Sequence, residues 1–133
     1  MALTKHEDLT RQIIGSAYKV YNTMGFGFLE SVYEKCMLIE LTKLGLACKN
    51  QHPITVYYDG QVVGEFFADL WVKEEVIVAL KSVRAIATAH ETQLVNYLKA
   101  TGKDVGLLIN FGEAKVEVKR KVRELPPAAP EEF

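Results

Sequence analysis

The two segments Phe67-Ala-Asp-Leu-Trp-Val72 and Val76-Ile-Val-Ala-Leu-Lys81 constrain this chain more than any others. Each is rich in β-branched and aromatic residues, and Lys73-Glu74-Glu75 between them suits a turn. Paired as a hairpin, they put Ala68, Leu70, Val72, Val76, Val78 and Leu80 on one face. Phe67, Asp69, Trp71, Ile77, Ala79 and Lys81 fall on the other, because strand side chains alternate. Both faces are rich in apolar residues, the pattern of a sheet covered by helices on both sides. A polar pair interrupts the second face: Asp69 is predicted to lie across from Ala79, about 5 Å away, with Lys81 on that same face.

The flanking segments supply the helices. Thr4 and Glu7 form a capping box, and Leu9, Ile13, Ala17 and Val20 recur at helical spacing up to Gly25 and Gly27. A second helix is predicted from just after Gly27 to Gly45, with Tyr33, Met37, Leu41 and Leu44 on one stripe. Asp59-Gly60 then marks a hairpin between Ile54–Tyr58 and the residues after Gln61. A second capping box, Thr88 with Glu91, opens a helix through Leu94, Val95, Leu98 and Ala100 that stops at Gly102. Val105-Gly-Leu-Leu-Ile-Asn110 reads as a buried strand, parallel to the strand that precedes the helix. The expectation is one α/β domain over residues 1–124, a mixed β-sheet flanked by α-helices, with residues 125–133 a loose tail.

A chain of 133 residues needs no staples to hold such a core. Cys36 and Cys48 are its only cysteines, and neither belongs to a Cys-x-x-Cys pair. They argue against both a disulfide framework and a zinc site. The spacing of His6, His52 and His90 adds no zinc signature. No apolar run reaches membrane length and the N-terminus has no apolar signal core, so a cytoplasmic location with no membrane partner is expected. The net charge of -1 does not advertise nucleic-acid binding, yet Lys115-Val-Glu-Val-Lys-Arg-Lys-Val-Arg123 gathers five cations in nine residues. That stretch reads either as a strand that follows a phosphate backbone or as an edge strand protected by its lysines.

Phosphodiester hydrolysis requires a divalent cation to polarise the phosphoryl oxygen and generate hydroxide, and hard cations take carboxylate and carbonyl oxygens. Asp69 and the Leu80 carbonyl are candidate ligands for such a cation, and Lys81 is placed to orient the attacking water; taken singly, Asp69 reads instead as the end of a twisted strand and Lys81 as a solvent-facing cation. On the second helix Glu30 and Tyr33 share a face, and Tyr33 is a candidate substrate contact. Glu30 reads either as a partner of the helix dipole or as a further metal ligand. His90, Gln93 and Tyr97 fall on one side of the third helix, which reads either as a set suited to hydrogen-bonding a phosphate or a base or as the polar outer face of the helix.

Gly27-Phe-Leu-Glu30-Ser-Val-Tyr33 resembles the signature of the GxxExxY protein family, which is assigned to the PD-(D/E)XK nuclease superfamily. The resemblance extends through the Asp-Gly hairpin, the Ala-Asp-Leu strand, the Leu-Lys-Ser-Val segment, the helix around Gln93 and the Gly-Leu-Leu-Ile-Asn-Phe-Gly strand. It implies a restriction-endonuclease-like core and a Mg²⁺- or Mn²⁺-dependent nuclease. Glu30 is then the helix acid, Asp69 the principal metal ligand and Lys81 the catalytic lysine. Gln93 and Tyr97 match a Gln-x-x-x-Tyr motif of RecB-like branches. It also implies a nucleic-acid partner, DNA in preference to RNA, and is compatible with a homodimer. The mismatch is Ala79, where the superfamily carries Glu or Asp. Three explanations follow: a degenerate site, an oxygen supplied instead by Glu30 or Glu65, or an alanine introduced to silence an active enzyme. The reading is an impaired nuclease; its rival is a non-catalytic module that keeps the fold to bind nucleic acid or protein.

Overall fold

The computed structural model describes residues 5–123, so the Thr4 cap and the 125–133 tail lie outside it. Helix α1 (Glu7–Met24) is preceded by His6 in a left-handed conformation with no side-chain cap, and it buries Leu9, Ile13, Ala17 and Val20. Gly25 and Gly27, at φ 71° and 116°, then turn the chain through conformations that residues with a Cβ rarely adopt. Helix α2 (Glu30–Lys43) starts later than the glycines suggest, because Leu29 is still extended. It ends where Leu46 N–H reaches back to the Leu41 carbonyl across Gly45, the usual helix stop around a left-handed glycine.

The sheet follows as β1 (Cys48–Tyr58), β2 (Gln61–Val72) and β3 (Val76–Lys81), joined by α3 (Thr88–Thr101) to β4 (Val105–Phe111) and β5 (Val116–Val122). Its spatial order equals its chain order, β1-β2-β3-β4-β5, and only the β3/β4 pair is parallel. The parallel pair arises where the helix intervenes, as the strand, helix, strand order requires. Asp59 and Gly60 both take positive φ in the first hairpin, as a two-residue turn demands.

Two apolar layers result. Helices α1 and α2 cover the face carrying Leu70, Val72, Val78, Leu80, Leu107 and Ile109. Helix α3 covers Ile54, Ala68, Trp71, Ile77, Ala79 and Leu108 with Leu94 and Leu98. Ala68 therefore lies on the α3 side, not on the Leu70 side where strict alternation puts it. The β1/β2 register passes from Asn50↔Leu70 to His52↔Ala68 with no Gln51↔Asp69 pair, and Gln51 has φ 49°. A residue out of strand conformation breaks the alternation at that point.

Tyr33 is fully buried; its ring stacks on Phe111 with centroids 4.2 Å apart and planes at 6°, and its hydroxyl donates to the Gly25 carbonyl. It is a core residue that ties the glycine turn to β4, which corrects its assignment as a substrate contact. The second capping box is also replaced. Thr88 is the first helical residue, and His90 Nδ1 accepts the Ala87 N–H at 3.0 Å, leaving Glu91 to pair with Lys121 at 2.7 Å. The basic β5 is partly neutralised in the same way. Arg123 binds Asp104 at 3.0 Å and Arg120 donates to the Lys5 carbonyl.

Gly106 in β4 lets α3 approach the sheet. A Cβ there would lie 2.8 Å from Leu94 Cδ1 and 3.3 Å from the Ile77 carbonyl oxygen. Gly106→Val is expected to cost about 1–3 kcal/mol by forcing Leu94 off its seat, read as a lower denaturant midpoint at unchanged slope.

Candidate active site

The site grows from a fork between β2 and β3. Their ladder pairs Val72↔Val76, Trp71↔Ile77 and Leu70↔Val78 and then stops. Extending the register by one step would set Asp69 against Ala79. Instead the strands part, and Asp69 Oδ2 accepts the Leu80 N–H at 2.7 Å. The side-chain carboxylate thus replaces a backbone carbonyl as the partner of Leu80, and the β2 strand peels away from β3 without orphaning that donor.

The opening holds a cavity of about 110 Å³ lined by Phe67, Ala68, Asp69, Ile77, Val78, Ala79, Lys81, Gln93 and Tyr97. Residues from β2, β3 and α3, far apart in sequence, meet here. Burial pushes the Asp69 carboxyl above its usual range; the Leu80 N–H, the Gln51 amide and the nearby Lys81 charge oppose that shift, and Glu34 reinforces it. Burial likewise raises the Tyr97 phenol, assisted by the Asp69 charge, so Tyr97 stays a protonated hydrogen-bond donor at neutral pH. The opening therefore offers a carboxylate, a lysine cation, an amide and a phenol, with a methyl group at position 79.

Behind Asp69 lies an acid that the sequence reading passed over. Glu34, only 8% exposed, accepts from Gln51 Nε2 at 2.6 Å and from Asn50 Nδ2 at 3.4 Å. The same Gln51 nitrogen donates to Asp69 Oδ1 at 3.3 Å, so a neutral amide bridges the two carboxylates. Its left-handed backbone aims the side chain there. The available signal was Glu34 at helical spacing from Met37 and Leu41, an acid on an apolar stripe. Gln51 left no signal, since nothing local demands φ 49° at that position.

The remaining expected residues take other places. Glu30 is exposed at the start of α2 and lines a separate surface hollow with Phe26, Phe28, Leu29 and Ser82, so the acid beside Asp69 is Glu34, one helical turn on. Glu65 is exposed in the hairpin opposite Thr55 and does not line the cavity. His90 caps α3 rather than lining the opening. The loop between β3 and α3 is held by the fully buried Asn110, whose amide makes two 2.9 Å bonds with the Val83 backbone and a 3.0 Å bond with Glu117.

As a cation site the donor set is incomplete. Among the described residues no three His, Cys, Asp or Glu side chains converge to hold a metal. One Asp69 oxygen is committed to Leu80 and the other faces the Gln51 amide, while both Glu34 oxygens face amides. Mg²⁺ and Mn²⁺ demand about six oxygen donors, several of them anionic or carbonyl. These residues do not fit such an ion as they stand.

A family model described as PD-(D/E)XK nuclease superfamily matches residues 7–121, which include every strand but the last residue of β5 and all three helices. No curated protein matches the chain. Among solved structures, the crystal structure of SSO0001 superposes with a TM-score of 0.57 at 15% identity, covering 92% of this chain and 62% of that one. The chain spans about three fifths of that neighbour, and at this identity the likeness is one of fold. A five-stranded mixed sheet with helices on both faces is consistent with an α/β restriction-endonuclease-like fold. Fold and family match agree: this chain belongs to the PD-(D/E)XK nuclease superfamily.

Proposed function

We propose that this chain engages nucleic-acid phosphodiesters at the fork, DNA in preference to RNA, and that Ala79 impairs their hydrolysis. The observation that carries the reading is the single cavity in which Asp69, Lys81, Gln93 and Tyr97 surround Ala79. Three of those four can serve a phosphate directly: Lys81 by charge, Gln93 and Tyr97 as donors. Asp69 holds the strands open and contributes the anionic side of the site. Nucleases of this superfamily generally use divalent metals. The acid missing at position 79 is the one needed to gather such an ion here, so no hydrolytic step is assigned to the chain as it stands. The resemblance of Gly27–Tyr33 to the GxxExxY signature supports assigning the chain to that family within the superfamily.

A second reading has its own support. Ala79, the amide-blocked Glu34 and the absence of three convergent ligands among the described residues also suit a module that has kept the fold to bind nucleic acid or a protein partner without cutting.

The state of Asp69 supports a site kept for function. Its carboxyl titrates higher folded than unfolded, so its protonated form is favoured by folding. The associated stability is present at low pH and is lost as pH rises through the folded value. An ionised Asp69 thus weakens the fold at neutral pH, a cost characteristic of site residues. Asp69→Asn keeps an oxygen for the Leu80 N–H, and it is expected to raise the melting temperature at neutral pH more than in mild acid. A larger gain in acid would contradict this account of the charge.

Ala79→Glu is expected to create Mn²⁺ binding measurable by calorimetry. With it should come cleavage of single- or double-stranded DNA or RNA at least about 10²-fold above the parent. Adding Lys81→Ala should abolish that gain. A folded Ala79→Glu protein that neither binds the ion nor cuts would leave the binding module as the function.

A further inference from the structure

The cavity at the fork is too small for a nucleotide, but it does not end there. Gln93 and Tyr97 also line a neighbouring groove of about 860 Å³ between α3 and the outer half of the β1/β2 hairpin. Some 110 Å³ holds a phosphate oxygen and a few waters, whereas the groove falls within the roughly 300–1,000 Å³ of organic-ligand sites. A phosphodiester placed at Lys81 therefore directs its neighbouring nucleoside into the groove across the two shared residues.

The groove has the chemistry of a nucleobase. Phe66 and Tyr97 stand with ring centroids 5.7 Å apart at 40°, and Tyr57 exposes 64% of its surface on the opposite strand. These rings give a stacking face that a protein core would have buried. Gln93 and Asn96, three apart on α3, present donors and acceptors to a base edge, and Lys99 adds a cation at the rim. Amides alongside aromatic faces are the usual means of holding an unstacked base. A paired base inside a duplex shows neither its π-face nor its Watson–Crick edge.

We propose that this groove is a subsite for an unpaired nucleobase next to the phosphate held at the fork, so that the chain selects single-stranded nucleic acid or unpaired nucleotides over duplex. The inference rests on the reading of the fork as a phosphodiester site and adds strandedness to it. Tyr57 and Phe66 provide the stacking platform, and Asn96 reads the base edge.

The test is fluorescence anisotropy on the full chain in chelator, using labelled oligodeoxyadenylate and oligodeoxythymidylate single strands and the duplex they form. The proteins are the parent, Tyr57→Ala, Phe66→Ala, Asn96→Ala and Lys81→Ala, each checked for an unchanged melting transition. Single strand should bind at least tenfold more tightly than duplex, and each aromatic variant should lose roughly 5- to 150-fold on the single strand alone. Asn96→Ala should narrow the preference among homopolymers with little loss of overall affinity. Equal affinity for strand and duplex, or single-strand binding unchanged in both aromatic variants, would overturn the subsite. A Lys81→Ala loss in that same experiment would leave the fork reading standing. No binding of any of these oligonucleotides would overturn both. Self-association of the parent that disappears in Tyr57→Ala and Phe66→Ala, without oligonucleotide binding, would reassign the groove to a contact between copies of the chain.

Discussion

The hydrogen bond from Leu80 N–H to Asp69 Oδ2 is the interaction on which the rest of this molecule turns. Two strands that continued to pair would close the opening and set Asp69 against Ala79 across an ordinary ladder. By giving Leu80 a carboxylate partner, the chain lets β2 diverge while the Leu80 N–H keeps an acceptor, in a bond of a kind worth about 1.5–3 kcal/mol when the acceptor is charged. The same bond draws the Asp69 charge downward in pKa while burial drives it up. Fold and site thus share one atom, and the environment that makes Asp69 useful also makes its ionised form costly.

Much of this was legible in the order of residues. The hairpins, the parallel β3/β4 pair and the two helix-covered faces followed from apolar periodicity, Asp59-Gly60 and the helix placed between two buried strands. Asp69, Ala79, Lys81, Gln93 and Tyr97 do share one cavity. What was not legible depends on partners remote in sequence. Glu30 and Glu34 are one turn apart on α2, and it is Glu34 that meets the amides of Asn50 and Gln51, partners remote in sequence. The position of the Gln51 amide depends on a left-handed residue inside a strand, for which a glutamine gives no warning. Tyr33 and His90 were misread for a related reason. A tyrosine whose hydroxyl finds a carbonyl packs as core, and a histidine nitrogen near a helix start serves an orphan backbone donor as well as it serves a ligand.

Helix α3 lines both the fork and the neighbouring groove, and Gly106 is what lets it seat on the sheet. The absent side chain of Gly106 lets Leu94 seat against β4. With Leu94 and Leu98 directed into the core, positions 93 and 97 face the fork and position 96 faces the groove. Asn110 and Glu117 fix the loop that precedes the helix, so its start is set by the sheet as well as by the His90 bond to Ala87 N–H. The orientation of the polar residues over the opening is therefore a consequence of apolar packing beneath them.

Positions 69 and 79 differ in what the fold asks of them. Asp69 supplies an acceptor that a strand would otherwise provide, so replacing it by an apolar residue would strand the Leu80 N–H in the interior. Ala79 contributes its backbone to the pairing with Leu108 and a methyl group to the layer under α3, both of which a larger side chain entering the cavity would leave in place. The fold thus asks position 69 for a hydrogen-bond acceptor, which an amide would also supply, and asks position 79 for none. This asymmetry makes an alanine at 79 compatible with a fork, a lysine and a helix-borne amide and phenol that stay in register around it.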